Sequence, residues 1–200
     1  MSPKFLRKIF HHAIAPDDRA RFLVEDAVEH AFKFFQDKTF RKEIKFDEME
    51  QIEQDRVFNE LEVTFVGFLY LLIENTLDYL PAERKDYWHS VKSSVFPRFI
   101  NWFKELGIED EHIQTWEKLN DLRLDEYRLG LKETEKIWRS EIGKHNEDEK
   151  LQDETILLGA IVISAMLHIR RGQSSPTDPL KKMLGTQMGL MAQDWINEIR

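Results

Sequence analysis

The most regular pattern of apolar and polar positions lies at 56–80, where a nearly continuous apolar segment keeps one narrow polar line. Positions 63–73 carry no charge, and the members of the line recur at roughly the spacing of an α-helix. They are Arg56, Glu60, Thr64, Gly67, Glu74 and Asp78. A helix that is apolar around most of its circumference is surrounded by other helices. We therefore predict that this segment forms the central helix of a bundle.

A second apolar run predicts another strongly buried helix at 151–171. Three further segments follow the 3.6-residue period of a helix, namely 17–38, 82–106 and 109–142. Asp178 followed by Pro179 is a strong start signal for a last helix. The sequence thus predicts an all-α fold, a single-domain bundle of six or seven helices around the two buried helices at 56–80 and 151–171.

Two features interrupt this pattern. Pro97 lies inside 82–106, and a proline in a helix interior removes a backbone donor and clashes with the preceding turn, so we expect a break or kink just before it. The most polar stretch, at 143–150, is a candidate hinge, although the residues after it are too few for a separate domain. We therefore assign 17–200 to one bundle domain and 1–16 to an N-terminal arm.

The N-terminal arm is basic and amphipathic. It contains Lys4, Arg7 and Lys8 but no acidic residue. It could contact a membrane surface or a partner. We favour a short helix whose basic side packs against the acidic body, because a single short segment binds a bilayer only marginally. We predict no transmembrane segment, since the longest apolar runs, 63–73 and 156–167, fall well short of the roughly 20 residues that a span needs.

Composition narrows the classes of function. The 200 residues contain no cysteine, which excludes disulfides, thiolate metal sites and cysteine nucleophiles and fits a reducing compartment such as the cytoplasm. The formal net charge is −8, and no basic region is concentrated enough to neutralise phosphates, so we expect no nucleic-acid binding. Nucleophile elbows, phosphate-binding glycine loops and His-Glu-x-x-His motifs are absent, and we expect no cofactor.

A helical bundle with inward carboxylates raises the question of a ferritin-like di-metal site. Such sites take a Glu from each of two helices and a Glu-x-x-His pair from each of two others. The chain offers one such pair, Glu109 and His112, at the predicted start of a helix, where an acid is favoured anyway. The buried helices add Glu60, Glu62, Glu74 and Glu154. We therefore predict no metal site, and the residues from which one could be built are Glu109, His112, Glu60 and Glu74.

The polar line of the central helix has two interpretations. Glu60 and Glu74 lie within about 40° of one another around an ideal helix, so they could converge on a polar cavity inside the bundle. Alternatively, the line is the edge of the helix that water reaches. Because burying an unpaired carboxylate costs several kcal/mol, we expect the water-exposed edge.

The last helix carries methionines and two glycines four residues apart. Glycine inside a helix costs up to about 1 kcal/mol against alanine, and close approach of another helix, from this chain or a partner, would explain it. Methionine also gives a surface that adapts to varied partners. The interface candidates are Met183, Gly185, Met188, Gly189 and Met191. The alternative, which we favour, is ordinary core packing.

Two classes of function remain. We expect a non-enzymatic protein-interaction or structural module, which has a protein partner or forms a homo-oligomer. The alternative is a helical bundle that binds a small molecule or a metal, a ferritin-like enzyme included, with its pocket inside the aromatic-rich core.

Overall fold

A computed structural model of the protein describes residues 14–141 and 149–200, apart from 174 and 176, with the backbone alone for 141 and 149–152. Over these residues the chain forms seven α-helices and one 3-10 turn, and no β-strand, which confirms the all-α prediction. The helices are α1 (Pro16–Gln36), α2 (Lys38–Glu43), α3 (Gln51–Leu77), α4 (Ala82–Glu105), α5 (Asp110–Glu141), α6 (Glu149–Ile169) and α7 (Pro179–Ile199); the 3-10 turn is Phe46–Glu48.

Two predicted features fall largely outside the described residues. They are the N-terminal arm, of which 1–13 are not described, and the candidate hinge, of which 143–148 are not described. Among the described helices, none combines the length and the apolar character that crossing a membrane requires.

Helix α3 is the centre of the bundle, as its apolar pattern predicts. It contacts α1, α4, α5, α6 and α7. Every residue from 60 to 69 is buried, and Phe65 and Phe68 are 0% exposed. Helix α6 is buried on one face only, because Ile161 and Ala165 lie in the core whereas Ile163 and Leu167 are more than 40% exposed.

Of the break or kink predicted before Pro97, the break is wrong, because α4 is one continuous helix from 82 to 105. The residues on both sides of the proline explain this result: Val95 and Phe99 are both fully buried in the core. Burying large apolar side chains stabilises by roughly 1.5–3 kcal/mol each, which offsets the missing hydrogen bond and the strain of the proline. Packing of the two halves therefore outweighs the local preference.

The turn after α4 positions the residues of the site described below. Gly107 has φ +81°, a backbone conformation that glycine adopts without strain, and its N–H donates to the Lys104 carbonyl. The Ile108 N–H donates to the Phe103 carbonyl at 3.1 Å, which closes the turn. The chain thereby reverses at once, and the first turns of α5 lie beside the last turns of α4.

Candidate functional site

The polar line of α3 is a contact surface with α5, so the predicted water-exposed edge is wrong for its central residues. Glu60 is 6% exposed and accepts two hydrogen bonds from the Arg123 guanidinium, at 2.6 and 2.9 Å. Arg123 also donates to Glu126, whose carboxylate lies 2.9 Å from Nε2 of His168 on α6. A chain of polar contacts therefore links three helices, and Glu60 is directed at Arg123 of α5.

The same seam continues along α3 at Thr64 and Gly67. The Thr64 hydroxyl lies 3.1 Å from the hydroxyl of Tyr127, which is fully buried. A Cβ at Gly67 would lie 2.9 Å from Cε2 of the same ring, so the tyrosine packs directly on the α3 backbone. The absence of a side chain at Gly67 is what lets the two helices approach closely here.

Glu74 lies at the far end of the seam. Lys92 of α4 donates to it at 3.0 Å, and Arg128 of α5 at 3.1 Å. Burial acts to raise the pKa of this carboxyl, but the two cations outweigh burial and the pKa is lowered. We call the α3–α5 contact formed by Glu60, Thr64, Gly67, Glu74 and their partners the paired seam.

The four residues considered for a metal site do not converge. Glu60 and Glu74 are engaged in the paired seam, whereas Glu109 and His112 are exposed residues at the start of α5. Across the part of the chain that the structure describes, no three His, Asp or Glu side chains are placed to hold a metal ion.

The interface candidates on α7 divide between core and surface. Met188 and Met191 are at most 1% exposed, so these two side chains belong to the core and are not free to meet a partner. Met183, Gly185 and Gly189 are partly exposed. A Cβ at Gly185 would meet nothing within 4 Å, and one at Gly189 would meet only Leu158, at 3.7 Å. No close helix approach within the described chain therefore explains the two glycines.

An open cleft lies on the opposite side of α3, at the end of α4 and the start of α5. Its volume is about 440 Å³, and we call it the Glu62 cleft. Residues four apart on a helix share a face, and the lining follows that spacing. It comprises Phe58, Asn59, Glu62, Trp102, Phe103, Leu106, Ile108, His112, Thr115, Trp116 and Leu119.

Glu62 is the unusual member of this lining. Glu62 is 1% exposed, and its Oε1 has no hydrogen-bond partner among the described residues. Burial alone raises the pKa of this carboxyl to about 8, because no cation or donor compensates the loss of water. At neutral pH the group is therefore predominantly an uncharged carboxylic acid.

The walls of the Glu62 cleft are aromatic and its rim is apolar. The rings of Phe103 and Trp116 stack with centroids 4.2 Å apart. Leu106 is 59% exposed and Ile108 is 38% exposed, both at the mouth. Solvent-exposed apolar side chains that surround a concave surface are typical of ligand-binding sites.

A second cleft, of about 510 Å³, lies on the other side of the α4–α5 contact. Asn120 is 4% exposed, and neither polar atom of its amide has a partner among the described residues. The remaining lining of this cleft is mixed in charge, since it includes Lys104, Glu117 and Asp121. Because these groups can neutralise one another, this cleft defines no single ligand chemistry.

Sequence reasoning counted Glu62 among the carboxylates of the central helix but did not single it out. The available signal was its angular position: it lies about 160° around the helix from Glu60 and is therefore off the polar line. The local helix structure does not explain why a carboxylate lies on the apolar face of a buried helix. That position was the only indication in the sequence of an unusual site.

No protein family, curated protein or solved structure matches this chain. A proposal of function therefore depends on the geometry and chemistry of the site itself.

Proposed function

We propose that the protein is a non-enzymatic ligand-binding helical bundle that holds a small, largely apolar molecule in the Glu62 cleft. One observation carries the proposal: an open aromatic cleft of about 440 Å³ is lined by a buried carboxyl whose Oε1 has no partner in the described part of the chain. Ligand pockets of small molecules have volumes of roughly 300–1,000 Å³ and combine apolar walls with few polar groups.

The energetics of the empty cleft favour an occupant. A buried polar atom without a hydrogen bond costs about 1–3 kcal/mol, and exposed apolar side chains at the rim add an unfavourable contact with water. A ligand that covers Leu106 and Ile108 and reaches Glu62 would remove both costs. The lining would thus be more favourable when occupied than when empty.

Binding is better supported than catalysis. Among the described residues, no hydrogen bond connects Glu62 with His112 or with any other side chain that could serve as its base or nucleophile. Catalytic groups act in pairs held within hydrogen-bonding reach. A lone carboxyl in an aromatic cleft is suited to recognition.

The test is to fill the cleft. Thr115→Trp places a large side chain in the lining, and Thr186→Trp makes the same change at an exposed position of α7. We expect 4-phenylbutan-1-ol, an uncharged probe, to bind the unmodified protein and Thr186→Trp with equal affinity, and Thr115→Trp at least tenfold more weakly. Calorimetric titration and ligand-observed NMR measure this difference.

The proposal would be abandoned if the probe bound all three proteins alike or bound none of them. Circular dichroism of each variant separates loss of binding from loss of folding.

A second candidate function is self-association through α5 and α6. Their outer faces carry five large apolar side chains that are 42–60% exposed, namely Leu122, Leu129, Ile137, Ile163 and Leu167. Ile163 and Leu167 each precede a residue that lies against α5, Ser164 near Gly130 and His168 at Glu126. The exposed side chains therefore border the α5–α6 contact. Helix α5 has 32 residues and offers a long contact surface for a second copy.

This second candidate predicts a dimer in solution. Sedimentation velocity of the unmodified protein should give about twice the monomer mass, and Leu129→Lys should return it to the monomer. The matched control is Leu190→Lys, because Leu190 is 65% exposed but lies on α7. A monomer at high protein concentration would exclude this function.

A further inference from the structure

We infer that the ligand of the Glu62 cleft is an organic cation, an ammonium or similar N–H donor group attached to an apolar body. This inference rests on the proposed binding function and names the chemical class that the lining selects.

The charge of the lining favours a cation. Among the described residues that line the cleft, Glu62 is the one acidic residue, and none is a lysine or an arginine. The other titratable lining group is His112 on α5, which is exposed, while the lining residues from α4 and the remaining ones from α3 are uncharged. A carboxylate or phosphate ligand would therefore meet no fixed cation at the depth of Glu62. The acidic balance of the whole chain, −8, disfavours an anion further.

The unmet hydrogen bond at Glu62 also favours a cation. As a carboxylate, Glu62 presents Oε1 as an acceptor, and no described residue donates to this buried atom. A hydrocarbon ligand would leave it unpaired, whereas an ammonium supplies an N–H and an opposite charge together. Hydrogen bonds between charged groups are roughly twice as strong as those between neutral ones.

The aromatic wall of the cleft is suited to a cation as well. Trp102, Phe103 and Trp116 all line the cleft, and the last two are stacked. The face of an aromatic ring attracts a cation within about 6 Å of its centroid, and tryptophan is the strongest of the three aromatic side chains. One carboxyl and several aromatic rings, with no competing cation, form a set suited to ammonium recognition.

Binding has a measurable proton balance. In the empty protein the Glu62 carboxyl keeps its proton; when an ammonium group arrives, the carboxyl ionises, the proton leaves to the solvent and the ligand retains its own protons. Calorimetry in two buffers of different ionisation enthalpy should therefore record the release of close to one proton per ligand at pH 7.

The experiment compares three probes with one apolar body and different head groups. We expect 4-phenylbutylamine to bind at least tenfold more tightly than 4-phenylbutan-1-ol, and 4-phenylbutyrate to bind more weakly than the alcohol. Glu62→Gln should abolish the preference for the amine and the proton release, while affinity for the alcohol changes less than threefold. The matched control is Glu117→Gln on α5, outside the Glu62 cleft, which should retain the full preference.

The outcomes distinguish a failure of the cation preference from a failure of the binding function. If the alcohol or the butyrate binds as tightly as the amine, or if Glu62→Gln keeps the amine preference, the ligand is not selected as a cation, although the cleft remains a binding site. If no probe binds, or if Thr115→Trp binds all three as well as the unmodified protein does, the binding function fails and this inference with it.

Discussion

Glu60 and Glu62 lie two residues apart on the same buried helix, yet they illustrate opposite ways to bury a carboxyl. Glu60 faces the paired seam, where Arg123 donates two hydrogen bonds to it. Glu62 faces the aromatic cleft, and its Oε1 receives none from the residues that the structure describes. A buried charge is tolerated when it is paired, and an unpaired group gives up its charge instead. The paired seam therefore stabilises the bundle, whereas the Glu62 cleft contains a carboxyl whose burial is unfavourable for folding.

The largest expected change in stability comes from a substitution in the paired seam. Arg123→Met should lower the free energy of unfolding by about 3–5 kcal/mol, because it leaves the Glu60 carboxylate buried without a partner. Urea unfolding at pH 7 measures the change. The double variant Glu60→Gln/Arg123→Met should recover most of the loss, since both charges are then absent.

Arg139→Met is the matched control for this prediction. Arg139 pairs with Glu135 on α5 and with Asp153 of α6, but its side chain is 52% exposed, so the loss should stay below about 1 kcal/mol. Equal losses at Arg123 and Arg139 would show that burial does not distinguish the two pairs.

Removing the carboxyl from the Glu62 cleft should change the stability in the opposite direction. Glu62→Gln should raise the free energy of unfolding by about 3 kcal/mol at pH 7, because each pKa unit between the ordinary value of 4.5 and the raised value of about 8 is worth about 1.4 kcal/mol. The raised pKa means that the folded state binds the proton more tightly than the unfolded chain. The stability of the unmodified protein is therefore fully present below about pH 4.5 and falls progressively as pH rises to about 8.

Thermal or urea unfolding at pH 4.5, 7 and 8.5 tests the sign. The gain from Glu62→Gln should be absent at pH 4.5 and largest at pH 8.5. A gain that does not depend on pH would mean that the carboxyl is not the source of the cost.

A third, smaller effect tests the close packing of the seam. Gly67→Ala should destabilise by about 1–3 kcal/mol, because its Cβ would lie 2.9 Å from the ring of Tyr127, which is fully buried. Gly185→Ala on α7 meets nothing within 4 Å and should stabilise by up to about 1 kcal/mol. Denaturant midpoints of the two variants should move in opposite directions, and a shared direction would contradict the assignment.

The smallest effect concerns the neutral hydrogen bond within the seam. Thr64→Val should cost about 1 kcal/mol, because it removes the hydroxyl that lies 3.1 Å from the Tyr127 hydroxyl. Combined with Tyr127→Phe, the loss should be less than the sum of the two single losses. Strict additivity in urea unfolding would indicate that the two hydroxyls do not interact.

Much of the fold was predictable because its signals are local. The apolar pattern of α3 and the Asp178–Pro179 start of α7 both gave helices where expected, and the Asp178 carboxylate accepts the Leu180 N–H at 3.0 Å. The exception was Pro97, where tertiary packing of Val95 and Phe99 overrode a local rule. Of the candidate site, the sequence identified the carboxylates on the central helix but favoured a wet edge for Glu60, and it did not anticipate that Glu62 is buried beside an aromatic cleft.

The amino-acid sequence by itself determined the all-α class and the central position of α3, because helix periodicity and the apolar content of a segment are properties of neighbouring residues. Tertiary structure alone decided what the two faces of α3 meet. Arg123 lies 63 residues from Glu60 along the chain, and the aromatic walls around Glu62 come from α4 and α5. Whether a buried carboxyl meets a cation or an aromatic cleft depends on how distant helices pack, and no local pattern encodes that pairing.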